Sequence, residues 1–511
     1  MRRKLLAGSA TAVMTLTLMP APAQAVDEVN TTRLRNAVTV NGILAHERVF
    51  QRIANQNGGT RASGTPGYDA SARYVTQRLE AAGYEVTQQE FTFPFFQSLA
   101  EPSLAQVSPT PTTYETGVFS FSGSGTVTGR VVPIDVQIPP AGPAPSSTSG
   151  CEAADFPAAG DAPAVALVQR GTCPFGQKAA NAQAAGYDAV VIFNEGQAGR
   201  TELFVGTLGT DADFTIPVVG LSYPEAVALV QAAAAGEVQL TVSTQTRVDR
   251  AAKTSNVIAT SPGGDPDQAV VVGAHLDSVV EGPGINDNGS GSAGILEIAE
   301  EMARLGITPR RQLRFAFWGA EESGLLGSEY YVDQLGDDGI ASIYANLNFD
   351  MIGSPNYVRF VYDGDGSDST PAGPAGSGQI EQIFTKYFAG QGLASEPTEF
   401  SGRSDYGPFI AVGIPAGGLF TGAEGVKTAE EAATYGGTAG APYDPCYHQA
   451  CDTINNLSTK ALNEMGDAAA HAVMTLARSR TGLFEDGSRV ARRQAAKVQL
   501  PAVTTGPHAV S

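Results

Sequence analysis

The chain has 511 residues, enough for two to three domains. Its 32 Lys and Arg against 52 Asp and Glu give a formal charge of −20. That acidic balance argues against nucleic acid or an anionic lipid surface as partner and favours cationic ligands. The opening residues, MRRKLLAGSATAVMTLTLMPAPAQAV, combine basic Arg2, Arg3 and Lys4, an apolar run over residues 5–19 and a small-x-small end at Ala23, Gln24 and Ala25. Together these describe a secretory signal peptide over residues 1–25. The run is broken by Ser and Thr, ends at Pro20 and Pro22, and falls short of the ~20 residues a membrane span needs. A secreted, extracellular, soluble protein with no membrane partner is expected, and its charge after leader removal is −23. The four cysteines suit an oxidising compartment and fall into two local pairs, Cys151 with Cys173 and Cys446 with Cys451, the simplest of three connectivities.

After the leader, residues 39–54 carry Leu44, Val49, Phe50 and Ile53 near helical spacing and read as an amphipathic helix. The segment TRASGTPGYDASARYVTQRLEAAGYEVTQQEFTF follows, with a turn-rich entry, a helix over about 69–82 ended by Gly83, and a strand from about Glu85. From about 98 to 244 the chain becomes rich in Pro, Gly, Ala, Thr and Val. Its centre alternates a strand over 164–168, a helix over 175–185 and a strand over 189–193. This stretch, above all LVQRGTCPFGQKAANAQAAGYDAVVIFN, resembles the protease-associated (PA) domain, a small β-rich insert of secreted peptidases.

From about Asn256 an α/β rhythm resumes through NVIATSPG, AVVVGAHLDS, a helix over 290–305, RQLRFAFWGAEES, a helix around 328–335 and SIYANLNFDMIG. Continuous apolar strands alternating with helices imply a mainly parallel sheet buried on both faces. Ligand groups of such folds gather at the carboxyl ends of the strands. There stand His275 and Asp277 in GAHLDS, Asp287 in GINDNGSGS, Glu321 and Glu322 in FWGAEES, Asp350 in LNFDMIG and His448 in PCYHQACD.

Gly289, Gly291 and Gly294 spell G-x-G-x-x-G, the dinucleotide fingerprint. A true fingerprint places its first glycine directly after a strand, whereas Gly289 lies about sixteen residues beyond Gly273. Export also argues against a nicotinamide enzyme. The carboxylates and imidazoles offer a different chemistry, two metal sites of the type zinc accepts. Asp287 fits the bridge between the ions, His275 and Asp350 one ion, and Glu322 and His448 the other. Glu321, next to a ligand, suits the general base, and Asp277 a carboxylate that fixes the His275 imidazole.

GAHLDSVVEGPGINDNGSGSAGILEIAE, LRFAFWGAEESGLLGSEYYV, NLNFDMIGSPNYV, SGRSDYGPFIAVGIPAGGLFTG and CYHQACDTINN resemble the M28 metallopeptidases, above all secreted double-zinc aminopeptidases, across residues 35–98 and 250–480. The resemblance implies a three-layer α/β/α zinc-peptidase fold with a mixed, mainly parallel sheet. Its catalytic domain would comprise residues 26–97 and 250–480, with the PA domain inserted at 98–249 and a C-terminal tail at 481–511. It implies two Zn2+ per chain on the ligands above, Glu321 as base, and Tyr447 as hydrogen-bond donor to the oxyanion. A cis Asp287–Asn288 peptide is implied as well. Met351, Arg403 and Phe420 would line a pocket for a large apolar first residue such as Leu, although Arg403 also fits an ordinary ion pair. Some relatives bind Ca2+ near the last helix; here Asn463 stands where an acid is expected, with Asp467 nearby, a departure that counts against such a site. The expected activity is hydrolysis of the N-terminal peptide bond of peptides and proteins by a monomer. The rival readings are a carboxypeptidase or glutaminyl cyclase-like enzyme on the same fold, and a non-catalytic binding protein.

Overall fold

The computed structural model describes residues 26–484, so the expected leader at 1–25 and most of the expected tail, 485–511, lie outside the described residues. An eight-stranded mixed sheet runs in the order Glu85–Ser98, Thr246–Thr260, Arg311–Trp318, Asp265–His275, Ile343–Phe349, Ala416–Phe420, Phe360–Tyr362, Glu396–Thr398. Its centre is parallel: Asp265–His275 lies between Arg311–Trp318 and Ile343–Phe349, and Ala416–Phe420 extends the run. These strands are apolar on both sides because both faces are covered. Val270, Val272, Leu313, Phe315 and Leu347 pack in one cluster with side chains of helices Val40–Gln56, Gly291–Arg304 and Thr459–Arg478. Val271, Ala316, Trp318 and Ile343 face the other way, onto Tyr331, Val332 and Phe409. The two-residue period of the strand therefore divides one apolar run between two cores.

Local signals fix the helices. The Thr39 side chain accepts from the Gly42 amide at 3.0 Å and starts Val40–Gln56 one residue after the expected position. Proline at the first turn starts Pro66–Ala81. The helix expected around 328–335 runs longer, Leu326–Ser342, and is interrupted at Gly336, whose φ of 60° breaks the helical path.

The insert leaves and returns along one antiparallel ribbon in which Ser98 pairs with Thr246. It folds around its own seven-stranded sheet, with helices Phe175–Ala184 and Tyr223–Ala235 packed into separate cores. The Cys151–Cys173 disulfide lies in this unit. At the other end, residues 481–484 are still packed on the catalytic unit. The Asp27 carboxylate accepts from the amides of Arg480 at 2.8 Å and Thr481 at 3.0 Å, and Phe484 meets Tyr344 edge-on. Among the described residues, no helix is long and apolar enough to cross a membrane.

Leu347 is fully buried in the central strand. Leu347→Ala is expected to lower unfolding free energy by about 2–5 kcal/mol, read from denaturant melts. Truncating the partly exposed Val248 of the ribbon should shift it by less than about 0.5 kcal/mol.

Candidate active site and metal centre

His275 is the last residue of its strand. Glu321 and Glu322 lie just beyond Arg311–Trp318, and Asp350 directly follows Ile343–Phe349. Three neighbouring parallel strands thus deliver four of the side chains to one edge. Asp287 comes from the turn between His275 and helix Gly291–Arg304, and its peptide bond to Asn288 is cis. His448 comes from a loop closed by the Cys446–Cys451 disulfide.

Several backbone positions here lie in the left-handed region without being glycine: Ala320 (φ 53°), Met351 (φ 49°) and His448 (φ 56°). Each such residue costs on the order of 1–3 kcal/mol unless its surroundings hold it, and such residues collect at functional sites. Each is itself a candidate site residue or directly adjoins one.

The side chains converge. One oxygen of Asp287 lies 3.2 Å from His275 Nε2 and the other 3.1 Å from His448 Nε2. Asp350 Oδ1 stands 3.3 Å from His275 Nε2, and Glu322 Oε2 3.1 Å from His448 Nε2. Glu321 Oε2 is 3.9 Å from His275 Nε2. Two ligand atoms about 2.0–2.2 Å from a tetrahedral zinc are separated by roughly 3.3 Å, so these spacings fit a shared cation in each half. The charge balance fits as well: four buried carboxylates face two imidazoles, and Glu322 Oε1 is buried with no hydrogen-bond partner. Burial works against the His448 imidazolium, yet Glu322 and Asp287 outweigh it and push its pKa up to about 11. Burial likewise pushes Glu322 up to about 7 against the pull of His448, and raises Glu321 well above the usual carboxylate range. These directions register excess negative charge held in a dry site, and a dication among the ligands reverses them.

Neighbouring groups hold the cluster in place. Asp277 presents its carbonyl to His275 Nδ1 at 3.1 Å and its carboxylate at 3.6 Å. The same carboxylate accepts from the Glu321 amide at 3.3 Å, so Asp277 braces both an imidazole and the expected base. Ser404 donates to Asp350 Oδ2 at 2.6 Å. Asp452 accepts from the Asn286 and Asp287 amides at 2.9 and 3.0 Å. Tyr447 stacks on His448 with ring centroids 3.9 Å apart; burial first, then Asp287 and Glu322, raise its pKa and keep the phenol protonated.

The cluster opens into a cavity of about 190 Å³ lined by Met351, Tyr362, Arg403, Phe420 and Tyr447. Met351 is buried, whereas Arg403 stands at the exposed rim, 3.2 Å from Glu424. A larger cavity, about 350 Å³, between the N-terminal segment and Tyr387 and His471, holds none of these ligands. Asn463 and Asp467 lie on helix Thr459–Arg478, and among the described residues Asp467 belongs to no cluster of three His, Cys, Asp or Glu side chains.

Ser404, Asp452 and Asn286 are not marked by the sequence, and Asn288 is marked only through its peptide bond to Asp287. Polar residues that orient other residues carry no periodic or compositional mark; adjacency is the one signal, of Asn286 and Asn288 to Asp287, of Ser404 to Arg403 and of Asp452 to Cys451.

Residues 256–473 match the model of peptidase family M28 and residues 127–229 that of the PA domain. An aminopeptidase of Pseudomonas aeruginosa is 46% identical over 467 residues, covering 90% of this chain and 85% of the relative. Leucine aminopeptidase 2 of Trichophyton equinum is 43% identical over 368 residues, covering 71% of this chain and 72% of that one. The solved aminopeptidase from Aneurinibacillus sp. strain AM-1 superposes with a TM-score of 0.65 at 26% identity, covering 89% of this chain and 98% of that one. The chain belongs to peptidase family M28, with a PA domain inserted. It is a metallo-aminopeptidase of that family.

The Asn288 side chain bonds the Phe349 carbonyl at 2.9 Å and the Gly291 and Met351 amides at 2.9 and 3.1 Å, all buried. Asn288→Ala strands these groups, each worth about 1–3 kcal/mol. A loss of at least about 2 kcal/mol in denaturant unfolding is the expected outcome.

Proposed function

We propose that this protein is a secreted, dinuclear zinc aminopeptidase that removes large apolar N-terminal residues such as Leu. The observation that carries the reading is Asp287, whose two oxygens each face a different imidazole. His275 and Asp350 would hold one ion and Glu322 and His448 the other, with Asp287 able to serve either. Bound there, zinc supplies Lewis acidity toward the scissile carbonyl and lowers the pKa of water.

The rest is work for the protein's own groups. Glu321 takes the proton of the attacking water on a carboxylate oxygen and returns it to the departing amine. The Tyr447 phenol donates to the oxyanion that develops at the former carbonyl. Asp277 keeps the His275 ring and the Glu321 backbone in register through the contacts described above. The buried carboxylates favour the cationic α-amine of a free N-terminus, which an internal peptide lacks. Met351 and Phe420 offer the first side chain an apolar wall, with Arg403 at its rim. The name of the Trichophyton relative supports a preference for Leu. Two disulfides and the leader-like start support export, since such bonds persist in oxidising compartments. The acidic surface gives no footing for nucleic acid, and peptides and proteins are the substrates.

Glu321→Gln should keep its zinc, by elemental analysis, while kcat on leucyl-nitroanilide falls by about 10²–10⁴. Near-normal turnover would remove Glu321 from the role of base. Stripping with a chelator should abolish activity and zinc should restore it. N-acetyl-leucyl substrates should react far more slowly than free ones; a preference for the blocked substrate would overturn the aminopeptidase reading.

A further inference from the structure

The segment TRASGTPGY lies outside the family-model match, and nothing in the reaction accounts for it. In the fold it sits beneath the site. Arg61 is fully buried. Its guanidinium donates to the carbonyl of Pro283 at 2.8 Å and to those of Leu276 and Gly284, and it lies over the Phe50 ring. Leu276 is the residue after His275, and Gly284 immediately precedes the turn that carries Asp287. One planar fork therefore ties together the two ends of the loop between an imidazole and the bridging carboxylate.

The neighbours of Arg61 extend the hold. Thr60 donates to the Val279 carbonyl at 2.8 Å, and the Arg61 amide donates to Ser278 Oγ at 3.0 Å. Two residues on, Ser63 Oγ accepts from the Ala320 amide at 2.7 Å and from the Thr254 hydroxyl at 3.0 Å. Ala320 is the left-handed residue directly before Glu321. Gly67 lets the segment fold back on itself, because a Cβ there would come within 2.1 Å of the Thr60 carbonyl oxygen.

We propose that residues 60–63 form a positioning clamp for the metal centre: Arg61 fixes the separation of His275 and Asp287, and Ser63 fixes the aim of Glu321. The inference rests on the ligand and base roles given under the proposed function. A lysine cannot substitute in the first task, because a point charge on a flexible stem lacks the fork that reaches three carbonyls at once. Ser63 acts at one remove, through the peptide that carries the base.

Two variants of the full-length enzyme test the clamp. In Arg61→Lys loaded with zinc, transfer of the metal to a chromogenic chelator, followed by absorbance without substrate, is expected to be about 10- to 100-fold faster than in the wild type. In Ser63→Ala, kcat is expected to fall about 10-fold or more with KM and zinc content unchanged. The same substitution placed on Glu321→Gln should cost nothing further, since the two act as a unit. A folded Arg61→Lys that releases zinc at the wild-type rate overturns the clamp. So does a Ser63→Ala enzyme with wild-type kcat. If Arg61→Lys does not fold, the Ser63→Ala kinetics decide. An active Glu321→Gln would instead sink the base assignment, leaving the zinc-release result for Arg61 to be read on its own.

Discussion

Everything at the centre of this molecule depends on a concentration of buried negative charge. Asp287, Glu321, Glu322 and Asp350 are brought within a few ångströms of two imidazoles at the dry end of a parallel sheet. Carboxylates withdrawn from water are costly unless paired or coordinated to metal. The two imidazoles only partly offset that cost, as the upward shifts of Glu321 and Glu322 show. Divalent metal held among these side chains would offset the imbalance. The same demand accounts for the surrounding hydrogen bonds, with Ser404 on Asp350, Asp452 on the Asp287 amide and Asp277 on the Glu321 amide.

The fold supplies the rigidity that such a cluster requires. Parallel strands packed on both faces place His275, Glu321, Glu322 and Asp350 at adjacent ends, while Asp287 and His448 arrive on loops. Those loops are held differently. The Cys446–Cys451 disulfide closes one, and the other is gripped by Asn288, Asp452 and Arg61. The PA unit, joined through a single two-stranded ribbon, has its own cores and contributes none of the clustered His, Asp and Glu side chains.

The glycine fingerprint illustrates how one pattern can serve two chemistries. Gly291 and Gly294 bring the helix close to the strand ends. A Cβ on Gly291 would lie 2.1 Å from the Phe349 carbonyl oxygen, and one on Gly294 2.9 Å from Ile352. The left-handed turn itself falls earlier, at Gly284 with φ 58°. Tight packing of a helix against strand ends is the shared requirement, and the nucleotide is only one of its uses.

The sequence by itself determined the class of fold and the chemical identity of the cluster. Apolar runs alternating with helical spacing are local signals, and His, Asp and Glu at strand ends are residue types that few structural roles explain together. Tertiary structure alone decided which oxygen faces which imidazole, that Asp277 serves Glu321 as well as His275, and that Arg61, more than two hundred residues away in sequence, holds the loop of Asp287. The reason is physical. A residue that only orients another does so by distance and angle across the fold, and neither quantity leaves a trace in the order of residues along one chain.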